Sequence, residues 1–68
     1  MAESNWLRAS RDPVSPYVRD DGLLVQWSVV RGRWIVLQMD HGRQMVVFFN
    51  DSARSCRYWA DKNNPLDA

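Results

Sequence analysis

The sequence contains a single cysteine, a single histidine and only three glycines in 68 residues. One cysteine excludes a disulfide within the chain, and one cysteine and one histidine cannot supply the ligands of a structural zinc site. The scattered glycines exclude a glycine-rich phosphate-binding loop. No acidic segment has the ligand spacing of a calcium or magnesium loop. We therefore expect no metal, no cofactor and no small-molecule substrate.

Long apolar runs are also missing from the chain. No stretch approaches the roughly 20 apolar residues that a helix needs to cross a bilayer, so we expect no membrane contact. Residues 1–5 have neither the basic stretch nor the apolar run of a signal peptide. A lone thiol fits a reducing compartment better than a secreted protein. Together these features predict a cytoplasmic protein.

The charge balance is close to neutral, with a formal net charge of +1 at pH 7. A balanced charge argues against broad binding to phosphate backbones. The cations are nevertheless almost all arginine, with Lys62 as the single lysine. Arginine presents a planar fork of donors that suits recognition. The same bias is expected from a GC-rich genome, such as that of a bacterium or a phage.

The length allows one domain, and the chain divides into three parts. Residues 1–22 are polar and interrupted by prolines, which favours an extended N-terminal arm. Residues 23–64 contain the periodic segments and form the folded domain. Residues 65–68 form a short C-terminal tail.

The strongest secondary-structure signal lies in the middle of the chain. Three runs, 23–30, 33–39 and 43–49, are rich in β-branched and aromatic residues. Short glycine-containing segments separate them at 31–32 and 40–42. This pattern predicts a three-stranded antiparallel β-meander.

A helix is predicted directly after the third strand. Residues 50–52, Asn-Asp-Ser, are all good N-cap residues. Ala53, Cys56 and Ala60 then recur at helical spacing, and Pro65 cannot continue the helix. The expected fold is therefore α+β, a meander followed by one C-terminal helix.

Side chains alternate along a strand, which sorts them into two faces. The sorting assumes a two-residue turn at 31–32 and a three-residue turn at 40–42. One face and the helix then form the core, which we expect to contain Trp27, Trp34, Val36, Val46, Phe48, Cys56 and Trp59. The other face is also apolar, with Leu37, Met39, Met45, Val47 and Phe49. Since one helix covers only one face, the N-terminal arm, a second copy or a protein partner must cover the other.

Catalysis has little support in the sequence. His41 has only Asp40 and Gly42 as sequence neighbours and reads as an exposed turn residue. Cys56 lies on the apolar stripe of the predicted helix, where a free cysteine behaves as a small hydrophobe. No feature brings His41 near it, as a nucleophilic cysteine would require. We expect no catalytic residues and no enzyme activity.

Two functions fit what remains. The first is a small protein-binding module, such as a regulator or inhibitor encoded by a bacterium or a phage, or a self-associating subunit. It would act through the apolar residues Leu37, Met39, Met45, Val47 and Phe49, and exposed methionines adapt well to partners.

The alternative is a DNA-binding protein whose sheet enters the major groove. Its cations would be Arg31, Arg33 and Arg43 at strand ends, with Arg54 and Arg57 on the helix touching phosphates. In element order, three strands and a helix are similar to the small arm-type DNA-binding domains of phage integrases; no shared motif accompanies that order. The near-neutral charge favours the protein-binding hypothesis.

Overall fold

The computed structural model of the chain describes residues 6–8 and 10–64. These residues form a five-stranded antiparallel sheet, with the strands side by side in chain order, followed by a helix. The predicted α+β class is confirmed, whereas the predicted tail 65–68 lies outside the described residues. The elements are β1 (Trp6–Arg8), β2 (Tyr17–Arg19), β3 (Leu24–Ser28), β4 (Arg33–Asp40), β5 (Arg43–Asn50) and α1 (Ala53–Asn63).

The prediction of three strands was wrong, because the N-terminal segment adds two more. β1 and β2 pair with each other, and β2 pairs with β3, so the segment widens the sheet. Pro13 and Pro16 lie in the β1–β2 connection, where the missing N–H groups cost no ladder hydrogen bond. Side chains alternate between the two faces along each short strand, and those of Trp6 and Tyr17 lie on the same side of the sheet as α1. Those strands are too short for alternation to be visible in the sequence.

The core lies between the sheet and α1, on what we call the helix face. Val25 and Val36 oppose each other across β3 and β4 and are fully buried, as are Cys56 and Ala60 of the helix. Trp34 completes this layer with 8% of its surface exposed. Partly buried aromatic side chains close the layer at its margins, namely Trp6, Tyr17, Trp27, Phe48 and Trp59.

The helix begins where the sequence predicts. The Ser52 side chain caps α1 by accepting a hydrogen bond from the Ser55 N–H at 3.3 Å. The helix ends at Asn63, whose successor Asn64 donates its N–H to the Ala60 carbonyl at 2.8 Å.

Both turns of the meander differ from the assumed lengths. The β3–β4 turn has four residues, 29–32, and exposes Val29 and Val30 almost completely. The β4–β5 turn has only two, His41 and Gly42, both with positive φ, at 54° and 80°. Such paired left-handed residues match the right-handed twist of a two-residue hairpin. Because the turn has two residues and not the three assumed, each residue of β5 lies on the opposite face from the one predicted. This holds up to the point where the pairing register shifts again.

That second change is a β-bulge in β5. Leu37 opposes Val46 but Val36 opposes Phe48, so Val47 has no partner of its own. Before the bulge, Val46 shares the face of Leu37 and is 38% exposed. The prediction that Val46 belongs to the core was therefore wrong. After the bulge, Phe48 returns to the helix face, as predicted.

One buried charge joins three parts of the fold. Arg19 of β2 has 2% of its surface exposed and donates to the Asp21 carboxylate at 2.7 and 3.0 Å. It also donates to Asp61 of α1 and to the carbonyls of Ala60 and Asn64 at the helix end. These bonds with Asp21 raise the pKa of Arg19 and lower the pKa of Asp21, and burial opposes both shifts. The guanidinium thus fixes α1 to β2 and to the turn before β3.

We expect Arg19→Met to lower the free energy of unfolding by about 3 kcal/mol, since the helix-end carbonyls lose a charged donor. Urea denaturation followed by circular dichroism measures it. Arg31→Met, at an exposed turn position, serves as the control and should change little.

We call Arg19 and its hydrogen-bond partners Asp21, Asp61 and the carbonyls of Ala60 and Asn64 the Arg19 clamp. This clamp makes the free energy of unfolding depend on pH. The pKa of Asp21 is lower in the folded than in the unfolded chain, so its stabilisation is full above the unfolded pKa. This stabilisation is lost as the pH falls through the lowered pKa that Asp21 has in the folded chain. The Arg19→Met variant should lose less stability than the parent chain between neutral and acidic pH. An equal loss in both proteins would contradict the clamp.

Candidate functional site

The face of the sheet opposite α1 is apolar and uncovered by any element of residues 6–8 and 10–64. We call it the open face. Ile35 and Leu37 of the central strand β4 are buried at 7% and 8% exposure, because side chains of the neighbouring strands stand beside them. Around this centre, exposed or half-exposed apolar side chains share the face by register: Leu7, Val18, Leu24, Met39, Val46 and Phe49.

The structure divides the five residues predicted for protein binding. Leu37, Met39 and Phe49 lie on the open face, as the alternation predicts. Met45 instead lies on the helix face, where it opposes Gln38. Val47 packs against the core. The short turn and the bulge cause this division, and Val46 takes the place expected for Met45.

The described part of the N-terminal arm, residues 6–8 and 10–22, does not cover the open face. Its two strands extend the sheet sideways, and Leu7 and Val18 add exposed apolar surface to the open face, at 69% and 39% exposure. Of the three covers that the sequence allows, a second copy and a protein partner therefore stay open for the described part of the chain.

The strand-end arginines are far apart. Arg33 begins β4 and Arg43 begins β5, at opposite ends of the sheet. The seven residue steps of β4 between those ends correspond to about 23 Å. Arg33 lies over the Phe49 ring at 5.2 Å, and its Nη2 is 3.6 Å from the Asp51 carboxylate. Arg31, in the exposed β3–β4 turn, lies at the same end of the sheet as Arg33, as does the first turn of α1 with Arg54, whereas Arg43 lies at the other end.

The helix arginines occupy different flanks of α1. Arg57 is half-buried, and its guanidinium lies 4.2 Å above the Tyr17 ring. Arg54 is exposed on the flank that faces β5. The five predicted cations are therefore not gathered on one surface, and DNA binding stays a prediction that this geometry does not favour.

A groove runs along the β5 side of α1, and we call it the edge groove. Its volume is about 630 Å³. Phe48 and Trp59 stack at its base, with ring centroids 4.6 Å apart and planes 7° from parallel. The lining consists of Phe48, Arg54, Ser55, Tyr58, Trp59, Lys62 and Asn63. No sequence pattern predicts this groove, because it forms between two elements whose packing only the tertiary structure sets.

The two residues weighed for catalysis lie apart. His41 is exposed in the β4–β5 turn, whereas Cys56 is fully buried and donates its thiol to the Trp34 carbonyl at 3.6 Å. Trp34 lies near the other end of β4 from that turn.

In residues 6–8 and 10–64, no group of three or more metal-ligating side chains occurs. No helix in this part of the chain has the length and apolar composition to span a membrane.

Burial raises the pKa of Cys56 to about 11, so about one thiol in ten thousand is ionised at pH 7. We expect iodoacetamide to leave the native protein unmodified at this pH and to alkylate it once urea unfolds it. Mass spectrometry distinguishes the two forms by the added carbamidomethyl group. Rapid alkylation under native conditions would contradict the placement of the thiol in the core.

Comparison with protein-family models, curated proteins and solved structures finds no match to this chain. The open face and the edge groove are therefore the candidate sites of this chain.

Proposed function

We propose that this chain is a small non-enzymatic protein-binding module that associates through its open face with a second copy of itself. The observation that carries the proposal is the apolar surface that extends across all five strands of the open face, from Leu7 to Phe49, with no described element packed on it. The polar side chains that share this face by register are Gln26, Ser28, Arg33 and Gln44. Contiguous exposed apolar surface of this kind marks interaction sites in soluble proteins.

The charge of the open face favours a second copy over an unrelated partner. By register, Arg33 is the one charged side chain that β3, β4 and β5 place on this face. Asp51 of the same chain lies within 3.6 Å of it. Two such faces can meet without like-charge repulsion, whereas a specific heterologous partner is usually selected by complementary charge. A face nearly free of charge suits a symmetric contact with itself.

The size of the domain supports the same conclusion. A chain of 68 residues buries a smaller fraction of its surface on folding than a larger domain does, and its single cysteine allows no internal disulfide. Burying a second apolar face between two sheets would add to a thin margin of stability. Sheets pack face to face at a spacing of about 10 Å, with their side chains interdigitated.

We expect Val46→Glu to weaken dimer formation by roughly a hundredfold, since it places an unpaired carboxylate within an apolar contact, directly beside Leu37. Sedimentation velocity over a concentration series measures the dimer dissociation constant. Met45→Glu is the matched control, because the neighbouring residue is also about half exposed but faces the helix side. Circular dichroism should show both variants folded.

A monomer at every concentration would contradict the proposal, as would equal effects of the two substitutions. If the protein stays monomeric but captures a cellular protein in a manner that Val46→Glu abolishes, the open face instead serves a heterologous partner. That outcome would match a regulator or inhibitor and would replace the second copy as its occupant.

A further inference from the structure

The outer side of β5 is an unpaired strand edge. β5 is the last strand of the sheet and pairs with β4 alone among the described strands. Alternate N–H and C=O groups of such a strand point away from the sheet, where another extended segment can pair with them. Soluble proteins cover, charge or bulge an edge of this length. β5 carries one charge, Arg43, and the bulge at Val47, and the residues on either side of the bulge keep a regular ladder with β4.

The edge groove provides side-chain contacts beside this edge. Its base is the Phe48–Trp59 stack, and Tyr58 stands next to it with 66% of its surface exposed. Its volume of about 630 Å³ falls within the size range of specific binding sites, about 300–1,000 Å³. A side chain that points from an added strand toward the helix side would rest on these rings.

The charges of the edge groove have one sign. Arg54 lies at one end of the lining and Lys62 near the other, and none of the described residues of the lining is acidic. The helix acid Asp61 is directed to the opposite flank, where it accepts from Arg19 and Trp6. The groove is therefore cationic at both ends and aromatic in the middle.

We propose that the edge groove binds an extended acidic peptide segment of a partner protein, which adds to β5 as a sixth strand. Strand addition of this kind combines main-chain hydrogen bonds with pockets for alternate side chains. The inference names a partner for the protein-binding role proposed above, but it depends on different residues from the open face.

The geometry also specifies a pattern for the segment. Arg54 and Lys62 are eight residues apart, about 12 Å along the helix axis. Four residue steps of an extended strand span about 13 Å, and alternate side chains point the same way. Acidic side chains at the first and fifth positions can therefore reach the two cations, while an aromatic side chain at the third rests over Phe48 and Trp59.

Two other occupants are less well matched to the groove. A second β5 strand carries Arg43 as its one charge and offers no carboxylate to Arg54 and Lys62. Single-stranded nucleic acid also binds aromatic and cationic grooves, but it makes no use of an unpaired strand edge. Both alternatives are distinguishable in the experiment.

The test uses a fluorescein-labelled peptide with the core Glu-Thr-Phe-Thr-Glu, read by fluorescence polarisation against the full chain. We expect saturable binding that weakens with added salt. A peptide with Lys in place of both Glu should bind at least roughly tenfold more weakly. The double variant R54E/K62E should reverse this preference, because both groove cations change sign.

A second pair of peptides tests strand pairing itself. N-methylation of the amides on one edge of the extended peptide removes its donors toward β5, while N-methylation of the alternate amides leaves them intact. One of the two methylated peptides should lose binding and the other should retain it. Equal binding by both would overturn strand addition, and equal binding of the Glu and Lys peptides would overturn the acidic preference.

Controls separate this inference from the open-face proposal. Val18→Glu places the same charge on the open face but three strands away from β5, so this variant should weaken the dimer and still bind the Glu peptide as the parent chain does. Tyr58→Ala should weaken binding while leaving the dimer dissociation constant unchanged. Tighter binding of a fifteen-nucleotide oligothymidine than of the Glu peptide, or no peptide binding at millimolar concentration, would overturn the inference.

Discussion

The buried guanidinium of Arg19 holds together parts of the chain that are distant in sequence. It lies between β2, the turn before β3 and the last turn of α1, and it neutralises carboxylates from two of these. Beside it, Trp6 of β1 donates its indole N–H to Asp61 of the helix, and Tyr17 of β2 lies under the guanidinium of Arg57. A charge in this position is stabilising because Asp21, Asp61 and two carbonyls satisfy its donors.

The architecture that this clamp supports has more apolar sheet than one helix can cover. Five strands present two faces, and the eleven residues of α1 pack over β3, β4 and β5 on one of them. The uncovered surface therefore follows from the element count and not from a special motif. The same arrangement leaves the outer edge of β5 without a partner among the described strands and sets α1 beside it. The two proposed contacts, through the open face and along the edge groove, are thus consequences of one small helix on a wide sheet.

The β4–β5 hairpin decides which side chains each contact can use. Its two-residue turn puts Val46 beside Leu37 on the open face, and the bulge at Val47 then restores Phe48 to the helix face. Phe48 can consequently stack on Trp59 and form the base of the edge groove. A strand without the bulge would carry Phe48 to the open face and leave the groove without that ring. The bulge at Val47 thereby allows β5 to contribute Val46 to the open face and Phe48 to the edge groove.

The sequence by itself determined the α+β class, the three long strands, the helix from Ala53 with its Ser52 cap, and the presence of apolar residues on both sheet faces. These follow from local propensity and periodicity, which nearby residues set. Only the tertiary structure decided the roles of Arg19, Val46 and the edge groove. The Arg19 clamp joins residues more than forty positions apart, and the face of Val46 depends on one residue of turn length, since a side-chain period of two makes any slip an inversion. The groove exists only because α1 packs beside an unpaired strand.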